Sequence, residues 1–210
     1  MKKQIIASGG IEDKEFMEYV LYASGKPRPR IAFLGTASLD SPYSALSFYK
    51  TMGGLLCYPT DIAGFYPDTE SILLGQDVIW VGGGSTRDLI ALWTARGINV
   101  ILRKAYHQGV VLAGASAGGN CWFERCIINP VGSYFGVGWG IGLLGSCFCP
   151  HYEQEDYAIT MLNSGKDGYA CESGSAIHFV NGKVFQIYNS RNSLAFQIHN
   201  GAETLCTVSR

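Results

Sequence analysis

The chain has 210 residues, 47% of them apolar, with 27 glycines and a formal charge of -1 at neutral pH. That length suits one α/β domain over residues 1–210, because no proline-rich, serine-rich or charged stretch marks a division. A charge so near zero removes the electrostatic case for nucleic acid or an anionic membrane as partner, and no apolar stretch is long enough to span a bilayer.

In chain order, strand-like and helix-like segments alternate. Residues 3–8 read as a short strand ending at Gly9-Gly10, and 12–24 as a helix with Phe16, Met17, Val20 and Leu21 on one face. Residues 30–35 form the next strand, 42–52 a helix opened by Pro42, 55–58 a strand, and 77–81 a strand running into Gly82-Gly83-Gly84. Ser85 is placed to cap a helix carrying Leu89, Leu92 and Trp93, which Gly97 ends, and residues 98–107 make a second helical stretch. Beyond Ile159 the pattern changes to short strands at 169–172, 176–180, 184–188, 194–199 and 205–208, with hairpin turns at Asn181-Gly182 and Asn200-Gly201. The expected fold is therefore a mainly parallel sheet flanked by helices, with a C-terminal antiparallel annex and chemistry at the carboxyl ends of the strands.

The stretch with most chemical content is residues 109–123. An apolar run, Val110 to Ala113, ends at Gly114-Ala-Ser-Ala-Gly118, the Gly-x-Ser-x-Gly spacing of a nucleophile elbow. A serine on such a strand-to-helix corner projects its oxygen clear of the sheet, and small neighbours let the backbone pass close by. Backbone N–H groups of Ala117 and of the Gly82–Gly84 turn, facing it from the neighbouring strand end, would form an oxyanion hole. That glycine turn could also be read as a phosphate cradle, but it lacks the Walker lysine and the dinucleotide glycine spacing.

A serine nucleophile needs a base. Of the four histidines, His107 falls on a surface helix, His178 on an annex strand and His199 before a turn, whereas His151 follows Pro150 at the end of a strand. His151 is the candidate. Cys147, Cys149 and His151 have a Cys-x-Cys-x-His spacing but no second ligand pair, so buried apolar cysteines are expected and no metal. Lys2 and Lys3 precede an apolar run too short for a signal peptide, which sets the expected location as the cytoplasm with reduced thiols.

Asp77-Val-Ile-Trp-Val-Gly-Gly-Gly84, Ala91-Leu-Trp93, Ile101 to Ala105, Leu112 to Gly118, Cys121-Trp-Phe-Glu124 and Cys149-Pro-His-Tyr152 together resemble the peptidase E family of serine peptidases, which includes aspartyl dipeptidases and cyanophycinase-like enzymes, and in particular its bacterial branch of uncharacterised peptidases. The resemblance implies a fold related to class I glutamine amidotransferases, a serine-type mechanism on short peptides, cleavage after an N-terminal aspartate, and no cofactor. It makes Ser116 the nucleophile, His151 the general base, and Gly84 or its neighbour the oxyanion glycine beside Ala117. Counted without gaps from Cys121, the family's triad aspartate falls on Asn129, and no aspartate lies between Ser116 and His151.

An amide can orient a histidine but carries no charge to stabilise the imidazolium. Glu124, Glu153 and Glu172 are the alternative acids, with Glu172 favoured for its place near a strand end. Arg191 and Arg87 are the candidates to hold an acidic substrate side chain, since a guanidinium can engage a carboxylate bidentately. The expected partner is a small peptide, and the oligomeric state, monomer or homodimer, stays open. Two other readings stand beside the peptidase: a non-catalytic ligand-binding relative that lost the acid, and a hydrolase of other small esters or amides.

Overall fold

The computed structural model describes residues 1–131, 134–190 and 192–208. Strands and helices alternate through its first half: β1 (Gln4–Ser8), α1 (Lys14–Tyr22), β2 (Arg30–Leu34), a 3-10 turn at Thr36–Ser38, α2 (Pro42–Met52), β3 (Tyr58–Asp61), α3 (Thr69–Leu74), β4 (Val78–Val81), α4 (Thr86–Arg96), α5 (Ile98–His107), β5 (Val111–Ala115) and the single turn α6 (Ala117–Asn120). The second half is mostly strand: β6 (Phe123–Val131), β7 (Tyr134–Trp139), β8 (Leu144–Cys149), α7 (Glu155–Asn163), β9 (Gly168–Cys171), β10 (Ser175–Val180), β11 (Lys183–Asn189), β12 (Ala195–His199) and β13 (Ala202–Leu205).

These elements form two sheets. The larger has the order β11-β10-β1-β5-β4-β2-β3, with the five strands from β1 to β3 parallel and β10 antiparallel to both β1 and β11. Its central strands are apolar on both faces because helices cover both. One face, with Ile6, Phe33, Trp80 and Ala113, packs under Phe16, Met17 and Val20 of α1 and Phe48 and Met52 of α2. The other, with Ile5, Leu34, Val81 and Leu112, meets Leu89 and Trp93 of α4 and Leu102 of α5, together with Phe123 and Phe148 from the second sheet. That second sheet runs β13-β12-β9-β8-β6-β7 and carries α7 through a smaller cluster containing Ile127, Cys149 and Met161.

Local chemistry sets the helix ends. Asp13 accepts from the Phe16 N–H at 3.0 Å to start α1, Pro42 opens α2, and the Ser85 hydroxyl accepts from the Asp88 N–H at 3.3 Å to start α4. Gly97 closes α4 in the left-handed region, φ 72°. The third strand lies three residues later than the sequence suggests, at the sheet edge, where Tyr58 and Pro59 are exposed and no apolar pattern marks it. The last strand is displaced the other way, to 202–205, because Asn200 and Gly201, both at positive φ, make the tight turn that starts it. The C-terminal antiparallel strands divide between the two sheets: β10 and β11 extend the main sheet beside β1, while β12 and β13 join the second sheet. This division brings the loop between β9 and β10 to the carboxyl end of β1, beside Gly9 and Gly10.

Candidate active site

Strand β5 is buried at every position and lies between β1 and β4, so its carboxyl end opens at the middle of the main sheet. There Ser116 adopts φ 55° and ψ -113°, a conformation costing a non-glycine residue on the order of 1–3 kcal/mol. The surroundings hold it. Its N–H donates to the Ser8 carbonyl at 3.1 Å, and its own carbonyl accepts from the N–H groups of Gly119 and Asn120, both at 2.9 Å. A Cβ at Gly114 would run into the Gly118 carbonyl, and one at Gly118 into the Val81 carbonyl. The two glycines around the serine are thus required by backbone approach, as the spacing predicts.

His151 arrives from the other sheet. It follows β8 and Pro150, takes φ 51°, and donates its N–H to the Gly9 carbonyl at 3.3 Å. Its Nε2 lies 2.8 Å from Ser116 Oγ. On one side the ring meets Tyr157 edge-on at 5.5 Å, and on the other it lies so near Gly10 that a Cβ there would sit 3.1 Å from its Cε1. Burial lowers the pKa of His151 below the ordinary histidine value, with nearby Glu153 pulling partly the other way. At neutral pH the ring is therefore an unprotonated imidazole, the state a general base needs.

What lies behind the histidine is unexpected. Its Nδ1 is 2.9 Å from Ser173 Oγ, the Ser173 hydroxyl donates to Glu153 Oε1, and the Ser173 N–H donates to Glu153 Oε2 at 2.9 Å. Glu153 can only accept, so the Ser173 proton points at it and Ser173 Oγ accepts from Nδ1–H. Nε2 is then the bare nitrogen, ready to accept from Ser116 Oγ–H. Desolvation raises the Glu153 carboxyl, but the Ser173 hydrogen bonds and the His151 ring outweigh it and hold the group below the ordinary carboxylate value. A charged acid thus reaches the imidazole through one hydroxyl.

The other candidates are placed differently. Asn129, on β6, lines the cleft with Ser116, Gly84 and Arg87, and the Nδ1 position expected for it is filled by Ser173. Glu172 follows β9, and its Oε2 accepts from the N–H of Leu194 at 2.7 Å, which ties the end of β9 to the start of β12. Glu124 is exposed on β6, beside Arg125 and Ser146. Gly84, φ 139°, packs against the Ala37 carbonyl and lines the cleft; Gly83 comes closer, an added Cβ there lying 3.6 Å from Ser116 Cβ. Ala117 starts α6, whose first N–H groups have no carbonyl within the helix to bond. Arg87 borders the same cleft, its side chain 60% exposed beside Asp88 at 3.6 Å, while Arg191 lies outside the described residues. All seven cysteines are free and buried, and burial pushes the Cys147 thiol up to about 12.

Ser173 carries no sequence signal of its own. It stands in Glu172-Ser-Gly-Ser175, a turn closed by the Ser175 N–H on the Glu172 carbonyl at 2.9 Å, and only the pairing of β10 with β1 brings it to His151. Glu153, two residues after the histidine, is one of the three acids the sequence offers.

The family model of peptidase family S51 matches residues 5–187. The uncharacterized peptidase YgaJ of Bacillus subtilis (strain 168) is 40% identical over 205 residues, covering 90% of this chain and 89% of that protein. A peptidase from an acI-B1 Actinobacterium superposes with a TM-score of 0.73 at 13% identity, over 100% of this chain and 96% of its own. A candidate peptidase E from Listeria monocytogenes EGD-e gives 0.70 at 16% identity, over 90% of this chain and 100% of its own. Both solved structures share the fold.

Proposed function

The chain belongs to peptidase family S51 and is a peptidase, and from that premise we propose that it cleaves short peptides by a serine mechanism with Ser116 as nucleophile and His151 as general base. The observation that carries this reading is the 2.8 Å contact from His151 Nε2 to the oxygen of a serine held on a strained elbow. In the attack, Ser116 Oγ bonds to the scissile carbonyl carbon while its proton passes to Nε2. The oxyanion faces the N–H of Ala117 and an N–H of the Gly83–Gly84 turn, and one such donor is worth roughly 10²–10³ in rate. The imidazolium then protonates the leaving amine, and water, deprotonated by the same nitrogen, releases the acyl group.

Ser173 and Glu153 take the part of the third triad member. Ser173 fixes the tautomer and Glu153 supplies the negative charge, so the absence of an aspartate between Ser116 and His151 does not by itself argue for a non-catalytic relative. No residue in this scheme calls for a cofactor. Wild type and the Ser116→Ala and His151→Gln variants, assayed on a panel of dipeptides and simple esters, test the proposal. Peptide turnover by wild type and its loss in both variants is expected. Ester turnover without peptide turnover would shift the reading to a small-ester hydrolase, and equal turnover in all three proteins would remove it.

A further inference from the structure

A cavity of about 730 Å³ opens at the end of the main sheet opposite Ser116, between the start of β1, the last turn of α1 and the loop that follows it. Ser116 donates its N–H to Ser8 at the carboxyl end of β1, whereas this cavity begins at Lys2 and Gln4, so the length of the strand, roughly 13 Å, separates the two. Tyr19, Tyr22 and Phe185 supply aromatic walls, and the last two are exposed. Among the described residues that line it, Lys2 and Lys26 are the charged ones and none is acidic. Aromatic walls with positive charge alone select a flat anion.

Two buried polar atoms in the wall lack partners. Gln4 is 5% exposed and His178 3%, yet among the described residues nothing bonds to Gln4 Oε1 or to His178 Nε2. The other polar atom of each is engaged: Gln4 Nε2 donates to the Ala23 carbonyl at 3.0 Å, and His178 Nδ1 lies 2.8 Å from Tyr19 Oη. Burial, helped by Lys2, lowers the His178 pKa to about 4, so at neutral pH the ring carries one proton. A phenol O–H is a better donor than an imidazole N–H, and a bare imidazole nitrogen a better acceptor than a phenol oxygen. Tyr19 therefore donates to Nδ1, and the ring proton sits on Nε2. The wall thus holds an unmet donor at His178 and an unmet acceptor at Gln4. They share a face of the sheet: Gln4 pairs with Val180 and Ile6 with His178, so Gln4 and His178 are diagonal neighbours, roughly 7–8 Å apart. Lys2 stands over the same place, its Nζ 4.7 Å from the Phe185 ring, which meets the His178 ring edge-on at 5.3 Å.

Unpaired buried groups are costly, and a ligand that meets both removes the cost. We propose that this cavity is a second binding site, for a small aromatic carboxylic acid of one or two fused rings. Its carboxylate is shared between His178 Nε2–H and Lys2 Nζ, a donor on its ring bonds to Gln4 Oε1, and its ring lies against Phe185 and Tyr22. The exposed Phe185 ring, packed edge-on against the imidazole, turns to admit it.

Indole-3-acetate combines these features and serves as the probe. Calorimetry at neutral pH on the wild-type protein would compare it with indole-3-acetamide, which lacks the charge, tryptamine, which reverses it, and N-methylindole-3-acetate, which has no ring N–H. The acid should bind about tenfold or more tighter than the amide and a few-fold tighter than the N-methyl acid, and tryptamine should not bind. Lys2→Met should remove most of the acid's advantage and leave the amide unchanged, whereas Phe185→Ala should weaken both; each side chain is exposed, so both variants fold. NMR of the histidine rings should show the His178 nitrogens shifting on addition of the acid while those of His151 stay in place. No binding of the acid, equal binding of acid and amide, affinities indifferent to Lys2→Met and Phe185→Ala, or a shift at His151 in place of His178 would overturn the proposal.

Discussion

Replacing Glu153 by Gln removes the charge behind His151 while leaving an amide oxygen to accept from Ser173. The carboxylate lies two hydrogen-bond lengths from the imidazole, roughly 5–6 Å. At that separation a charge pair is worth about 3 kcal/mol at an effective dielectric constant of 20 and about 1 kcal/mol at 60, and Glu153 is exposed enough to lie between these limits. Turnover should fall about ten- to a hundredfold, well short of the roughly 10⁴ that accompanies neutralising an acid in direct contact with the histidine. The pH profile supplies a second readout. Glu153 raises the His151 pKa, so its loss should move the acid limb of kcat/KM to lower pH. Ser173→Ala breaks the same chain one link earlier, and Glu153→Gln added to it should cost little more, because the two residues act in series. Steady-state kinetics from pH 4 to 8 on the three variants measure all of this. Full activity in Glu153→Gln with an unmoved acid limb, or additive losses in the double variant, would refute the relay.

Other expectations follow from the same geometry. Asn129→Asp should not raise turnover, because Ser173 already occupies His151 Nδ1, and Glu172→Gln should lower Tm more than kcat, because that carboxylate serves the Leu194 N–H; kinetics beside thermal melts check both. His178, buried and beside Lys2, has its pKa lowered to about 4, so between roughly pH 6.5 and 4 the unfolded chain binds a proton that the folded one does not. Stability should therefore be full above pH 6.5 and fall by about 3 kcal/mol toward pH 4, and His178→Gln should flatten that slope in melts taken across the range. Hydrolysis should survive a chelator, since the scheme uses only side chains and backbone; inactivation by EDTA that zinc reverses would contradict it.

The parts of this protein that read well from sequence are those whose burial repeats locally. Strand β5 and the helices carrying Phe16, Met17, Val20 and Leu89 announce themselves through runs or stripes of apolar residues, and Gly114 and Gly118 through their spacing around Ser116. Edge elements do not. Strand β3 exposes half its residues, β7 is interrupted by glycines, and α7 buries only Met161, so none has a strong period. The hydrogen-bond partners behind His151 are illegible in the sequence for a different reason. Counting along the chain assumes that the acid comes from a fixed place, but here it reaches His151 through a serine delivered by long-range pairing of β10 with β1.

Site-resolved mass spectrometry of the protein treated with a fluorophosphonate asks whether Ser116 is a nucleophile activated by His151. One adduct is expected, on Ser116, formed on wild type at a rate that rises as His151 loses its proton, at a pH below the ordinary histidine value, absent in Ser116→Ala and slowed at least a hundredfold in His151→Gln. An adduct on another residue, or a labelling rate indifferent to His151, would contradict it.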